Sequence, residues 1–243
     1  SVNMAGHSKW ANIRHRKGAQ DKKRAKIFTK LIKEITIASR LGGGDISCNP
    51  RLRKAVSNAK SSNLPLDKIE RAIKKGTGEL EGVIYEEVTY EGYGPGGVAI
   101  LMNIITDNKN RTVAEIRHIF SKFDGNLGEN GSVSWMFDKT GQIIMESKSG
   151  NEDTVFEDAI DAGADDFYAK NNFYLVSTSV DQLMVIRDRL DNAGYAIKSA
   201  EIEMVPKTNQ ILDDLEANKF FKLLDALEDN DDVNKVYTNF DFD

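Results

Sequence analysis

Apolar residues recur at helical spacing through the first part of the chain. Between 19 and 41 they fall at Phe28, Leu31, Ile32, Ile35 and Ala38, the i, i+3, i+4, i+7 rhythm of one helix face. Gly42-Gly43-Gly44 predicts the end of that helix, because glycine takes left-handed backbone angles at little cost. Asn49-Pro50 predicts a second helix, a capping residue followed by proline at the first helical position, with Leu52, Ala55, Val56 and Ala59 inward. A third is expected from Leu64-Pro65, with Leu66, Ile69 and Ile73 inward and a stop at Gly76. Three amphipathic helices with short connections make a small bundle.

From Gly82 the period changes. "VIYEEVTYEGYGPGGVAILMNII" predicts two strands around a Gly/Pro loop. The second, Val98 to Ile105, is nearly all apolar, as a strand covered on both faces would be. Thr112 to Glu115 has the spacing of a capping box, with Ile116, Phe120 and Phe123 inward and Gly125 closing the helix. In "SVSWMF" the alternation puts Val133, Trp135 and Phe137 on one face of a strand. Residues 141–205 then show a complete order of their own. A strand (142–147) leads to a helix (152–162), two strands (165–169 and 173–178), a helix capped by Ser179 and a strand (195–205). This β-α-β-β-α-β order is ferredoxin-like. A helix over 209–229 and a strand over 233–238 remain, and they need a sheet to join.

The expected fold is therefore α+β and multi-domain. A basic N-terminal helical bundle (1–81) is followed by two α/β domains, one of them ferredoxin-like (141–206) and inserted in the other (82–140 with 207–243).

Charge sharpens this division. The chain of 243 residues is acidic overall, with a formal net charge of −5. Yet residues 1–81 hold 19 Lys or Arg against 7 acids, and residues 82–243 hold 14 against 31. Such a split is the pattern expected where one part meets a polyanion and the other does not, and the plainer alternative is charge on solvated helix surfaces. The positive charge is densest between His7 and Lys26, where eight of twenty residues are Lys or Arg and Asp21 is the only acid. Too few apolar residues lie there for burial, so a solvated arm or helix end is expected. Its candidate contacts to phosphate are Lys9, Arg14, Arg16, Lys17, Lys22, Lys23, Arg24 and Lys26. Trp10, His7 and His15 could stack on unpaired bases.

Other chemistry is sparse. Gly92 to Gly97 matches G-x-G-x-x-G in form, but a strand rather than a helix follows, so a hairpin loop is expected, with Tyr93 in it. His7, His15 and His118 lack metal-ligand spacing, and Cys48 has no cysteine partner, which fits a reducing compartment, most simply the cytoplasm. The acids after residue 145 suit solvated helix faces. No P-loop, G-x-S-x-G or H-E-x-x-H occurs, so catalysis is not expected. No apolar run reaches the length of a membrane helix, no secretory leader is evident, and Ser1 to Asn3 look like additions before a start at Met4.

The opening "MAGHSKWANIRHRKGAQDKKRAKIFTKLIKEI" (4–35) resembles that of the YebC family. "YEGYGPGGVAILM" (90–102), "TDNKNRTVAEIRHIF" (106–120) and "GSVSWMFDKTG" (131–141) resemble three more of its signatures, in order along the chain. The resemblance implies three domains, with no catalytic site and no cofactor. It also implies a regulator of gene expression, described for some members as DNA-binding in transcription and for others as a ribosome-binding activator of translation that eases elongation. The expected partner is DNA or ribosomal RNA, with no membrane and no small-molecule substrate. A protein-interaction adaptor and a hydrolase using the acidic domains are the alternatives.

Overall fold

In the computed structural model the described residues are 24–146, 151–170 and 173–242. Their order is α1 (Arg24–Gly42), α2 (Pro50–Ser61), α3 (Leu66–Thr77), β1 (Glu86–Tyr93), β2 (Ala99–Thr106), α4 (Lys109–Lys122), β3 (Asn126–Leu127), β4 (Phe137–Glu146), α5 (Glu152–Ala162), β5 (Asp166–Lys170), β6 (Phe173–Thr178), α6 (Leu183–Asn192), β7 (Ile197–Pro206), β8 (Gln210–Ile211), α7 (Asp214–Asp229), β9 (Val233–Thr238) and β10 (Phe240–Asp241). The class is α+β and multi-domain. By contacts the chain divides into two compact units. One takes the described residues up to Ser134 with Leu212–Thr238, and the other takes Trp135–Ile211 with the residues from Asn239.

In the first unit, α1, α2 and α3 close on a core of Ile35, Ala38, Leu52, Ala55, Val56, Ala59, Leu64, Ile69 and Ala72. Asn49 caps α2, its Oδ1 accepting from the Leu52 N–H at 3.1 Å. The same side chain donates to the carbonyls of Ala38 and Gly43, so it also ties down the end of α1. The third helix departs from expectation. It runs through Gly76 and ends at Gly78, whose φ of 85° is left-handed. Gly76 instead lets α3 approach α1: a Cβ there would lie 2.4 Å from the Thr36 carbonyl oxygen. Leu66, expected inward, is exposed, and Ala72 fills the inward position.

The sheet of this unit has the order β3-β1-β2-β9. β2 is central and antiparallel to β1 and β9, which explains its near-continuous apolar run. One face packs on Ile116 and Phe120 of α4 and on Phe220, Leu223, Leu224 and Leu227 of α7, all buried. The expected capping box at Thr112 is not the start of α4. Asn108 is the cap, and Thr112 lies buried in the first turn because its hydroxyl bonds to Asp232.

"SVSWMF" is not a strand either. Ser134–Met136 is a short 3-10 turn, and Trp135 points outward, 64 % exposed. The cause is Glu91. Its buried carboxylate accepts from the backbone N–H groups of Gly131 (2.6 Å), Val133 (2.9 Å) and Ser134 (2.6 Å), which curls the chain. The strand that follows, β4, begins at Phe137.

The second unit carries a sheet of order β5-β6-β4-β7, antiparallel throughout. With α5 and α6 packed on Ile143, Met145, Tyr174 and Val176, this is the ferredoxin-like arrangement. Ser179 does not cap α6: Gln182 stands at the cap position and makes no side-chain cap bond. β8 and β10 form a separate parallel pair.

Candidate nucleic-acid interface

Of the candidate contact residues, His7, Lys9, Trp10, Arg14, His15, Arg16, Lys17, Lys22 and Lys23 lie outside the described residues. Arg24 opens α1. Lys26 has an internal partner: its Nζ donates to the Asp229 carbonyl at 2.8 Å. It is the first of three lysines spaced i, i+4, i+7 on one face of α1. Lys30 donates to the Glu228 carbonyl, and Lys33 to the Asp231 carbonyl (2.9 Å) and to Asp232 Oδ1 (2.5 Å). The last carbonyls of a helix lack intrahelical donors and sit at the negative end of its dipole. The last turn of α7 has no basic residue of its own. The α1 lysines supply that charge, so part of the basic sequence serves folding rather than a polyanion. Burial pushes the Lys30 amine down to about 8, against the pull of Glu228 and Asp231.

Asp232 is the centre of this contact. Besides Lys33, it accepts from Arg111 Nη2 (2.9 Å), Thr112 Oγ1 (2.7 Å) and Thr106 Oγ1 (3.2 Å). Burial alone would raise its pKa, but Lys33, Arg111 and Thr112 hold the carboxyl down at about 2. Thr106 also accepts from the Asn108 N–H, and Asn108 caps Arg111. Thr106, Asn108, Arg111 and Thr112 of "TDNKNRT" are thus organised around one buried carboxylate far along the chain.

The Gly-rich segment has a similar account. A Cβ on Gly92 would meet the Asn126 carbonyl and the Phe120 ring, both at 2.7 Å, and one on Gly96 (φ 68°) would meet Leu212 at 2.4 Å. Pro95–Gly97 is a 3-10 turn leading into β2, so no helix N-terminus awaits a phosphate there. Tyr93 is half-buried and its hydroxyl donates to the Ser132 carbonyl at 3.1 Å.

Cations free of such duties lie on α2 and α3. Arg51 is held by Glu34 and Glu87, and Arg53 by the carbonyls of Ile46 and Ser47. Lys60, Lys68, Arg71, Lys74 and Lys75 are exposed and make no ion pair among the described residues. Lys68, Arg71 and Lys75 follow i, i+3, i+7 spacing and form a stripe along α3. The excess of positive charge over 1–81 contains this signal, but sequence alone does not separate these cations from those the fold consumes. Among the described residues no cluster of His, Cys, Asp or Glu could hold a metal ion, and His118 is exposed on α4.

The helices at the start of the chain thus present a basic face, and the buried Lys33–Asp232 ion pair ties α1 to the segment before β9. The chain belongs to the TACO1/YebC family. Residues 8–79 match the TACO1/YebC N-terminal domain, and residues 85–240 the TACO1/YebC second and third domain. Among its relatives is a probable transcriptional regulatory protein of Geobacter sulfurreducens, 58 % identical over 98 % of this chain and 96 % of the relative. One of the same description from Magnetococcus marinus is 54 % identical over 98 % and 96 %. The crystal structure of a conserved hypothetical protein from Aquifex aeolicus superposes with a TM-score of 0.83, at 45 % identity and 92 % coverage of each chain. No helix among the described residues is long and apolar enough to cross a membrane.

Proposed function

We propose that this chain is a non-enzymatic, nucleic-acid-binding regulator of gene expression working in the cytoplasm. The supporting observation is where positive charge is left over. Lys26 and Lys30 are spent on the last turn of α7 and Lys33 on Asp231 and Asp232 just beyond it, whereas five cations on α2 and α3 make no ion pair among the described residues. In this reading residues 1–81 are the contacting domain. The acidic domains, 82–140 with 207–243 and 141–206, are kept off the polyanion by repulsion. The names of the relatives, probable transcriptional regulatory proteins, agree with a regulatory role. The target is DNA or ribosomal RNA. Trp10, His7 and His15 among arginines favour RNA with unpaired bases, where aromatic stacking adds to phosphate contact.

The test is binding as a function of salt. Each phosphate neutralised contributes roughly −0.7 to −0.9 to the log–log slope, so about 4–6 arm contacts give a slope of about −3 to −5. Replacing Lys22, Lys23 and Arg24 together by alanine is expected to make the slope shallower. Trp10→Ala is expected to weaken looped RNA by about 1–3 kcal/mol with the slope unchanged, and duplex DNA much less. An unchanged slope in the triple variant with no loss for Trp10→Ala would defeat the proposal. Equal loss on both nucleic acids would remove the preference for RNA.

A further inference from the structure

The outer edge of β1 is open over most of its length. β3 pairs only with Gly92 and Tyr93, and the Gly128 N–H donates to the Glu91 carbonyl at 2.8 Å. That bond sets the direction of the odd-numbered residues. In an antiparallel strand the N–H and C=O of one residue face the same neighbour, and successive residues alternate. Thr89 and Glu87 therefore aim their backbone groups away from β2. Tyr85, one step further, has its carbonyl taken by the Arg40 guanidinium. Among the described residues, the backbone groups of Thr89 and Glu87 have no partner on this side.

Beside the edge lies a groove of about 490 Å³ between Ile37, Arg40 and Leu41 of α1 and the segment Tyr85–Thr89. Leu41 in its wall is 65 % exposed, and Val83 and Ile84, which lead into β1, are 51 % and 67 % exposed. Open edges are normally covered, bulged or charged, and large aliphatic side chains beside one mark a pairing surface. Charge selects the occupant. Glu79, Glu81, Glu86 and Glu87 are all exposed within nine residues; Glu86 pairs with Lys109 and Glu87 with Arg51, and Glu79 and Glu81 make no ion pair among the described residues. They repel nucleic acid, and a second copy paired through the same edge would bring these carboxylates together.

We propose that this edge docks a basic, extended segment of a partner protein. The segment adds to β1 as a strand, bonding to the backbone of Glu87 and Thr89. Its alternate apolar side chains rest on Leu41 and Ile84, and its Lys or Arg residues face Glu79 and Glu81. The proposal does not rest on the nucleic-acid reading of α2 and α3.

The test uses the full chain and a fluorescein-labelled synthetic peptide of alternating Lys and Val, with amide NMR to locate it. Binding is expected to shift the Glu87 and Thr89 amides and slow their hydrogen exchange. Ile84→Ser, at an exposed position outside any element, is expected to weaken binding about 5- to 10-fold. A peptide N-methylated at alternate bonds keeps its charge but loses its strand donors, and is expected to bind at least about tenfold more weakly. Equal binding of the methylated peptide, or amide shifts confined to other surfaces, would overturn the proposal. So would a concentration-dependent dimer paired through β1, or displacement of the Thr89 amide signal by an RNA hairpin.

Discussion

Replacing Asp232 by asparagine removes one negative charge and little volume from the contact that joins α1, β2, α4 and β9. Lys33 is then left 8 % exposed with a neutral amide in place of its carboxylate. Two routes give the magnitude. The carboxyl titrates at about 2 in the fold rather than at its ordinary 3.8. The proton linkage of that difference is roughly 2 kcal/mol. Removing one partner of a buried ion pair costs about 3–5 kcal/mol when the other charge is stranded. Lys33 keeps the Asp231 carbonyl at 2.9 Å. The cost should therefore fall at the lower end, about 3 kcal/mol, or a fall of roughly 6–12 °C in Tm for a chain of this size. The assay is urea and thermal unfolding followed by circular dichroism, with Lys33→Met and the double variant completing a cycle. Because the folded pKa is depressed, this stability is present above pH 3.8 and lost as pH falls towards about 2. The wild type should show that acid loss, and Asp232→Asn should lack it. A cost below about 1 kcal/mol, or strict additivity in the cycle, would refute the view that Asp232 acts through its charge on Lys33.

Glu91→Gln keeps the shape of the side chain but replaces a carboxylate oxygen by an NH2 group facing backbone donors. It is expected to cost about 2 kcal/mol and to release the 131–134 segment, seen as faster exchange of the Val133 amide. Burial would raise the Glu91 carboxyl, but the N–H groups of Gly131, Val133 and Ser134 hold it below its ordinary value. This contribution too is present at neutral pH and lost in acid. Gly76→Ala, which would press a Cβ onto the Thr36 carbonyl, is expected to destabilise the helical bundle by at least about 2 kcal/mol. Gly78→Ala, with open space but φ of 85°, should cost only about 1 kcal/mol, and a reversed order in unfolding midpoints would contradict the close-approach reading.

The helix and strand types, the ferredoxin-like order and the charge division follow from local sequence, because period, caps and charge are properties of neighbouring residues. The stripe Leu52, Ala55, Val56, Ala59 and the Asn49-Pro50 cap lie where the pattern puts them, since nothing distant competes with them. Where distant groups compete, local rules fail. Thr112 has the spacing of a cap, yet Asp232, 120 residues away, takes its hydroxyl into the interior. Val133, Trp135 and Phe137 alternate like a strand, yet Glu91, more than 40 residues earlier, binds the backbone just before Trp135 and curls it. Gly76 looks like a stop, yet it is a contact between helices. The candidate site divides in the same way. That residues 1–81 carry surplus positive charge is plain from composition. Which cations remain for a polyanion depends on which ones the fold consumes. Only the packing of α1 on the end of α7 and the residues just after it gives Lys26, Lys30 and Lys33 internal partners and leaves the exposed stripe on α3, because such contacts are formed by proximity in space, and sequence spacing encodes that only within a turn or two of helix.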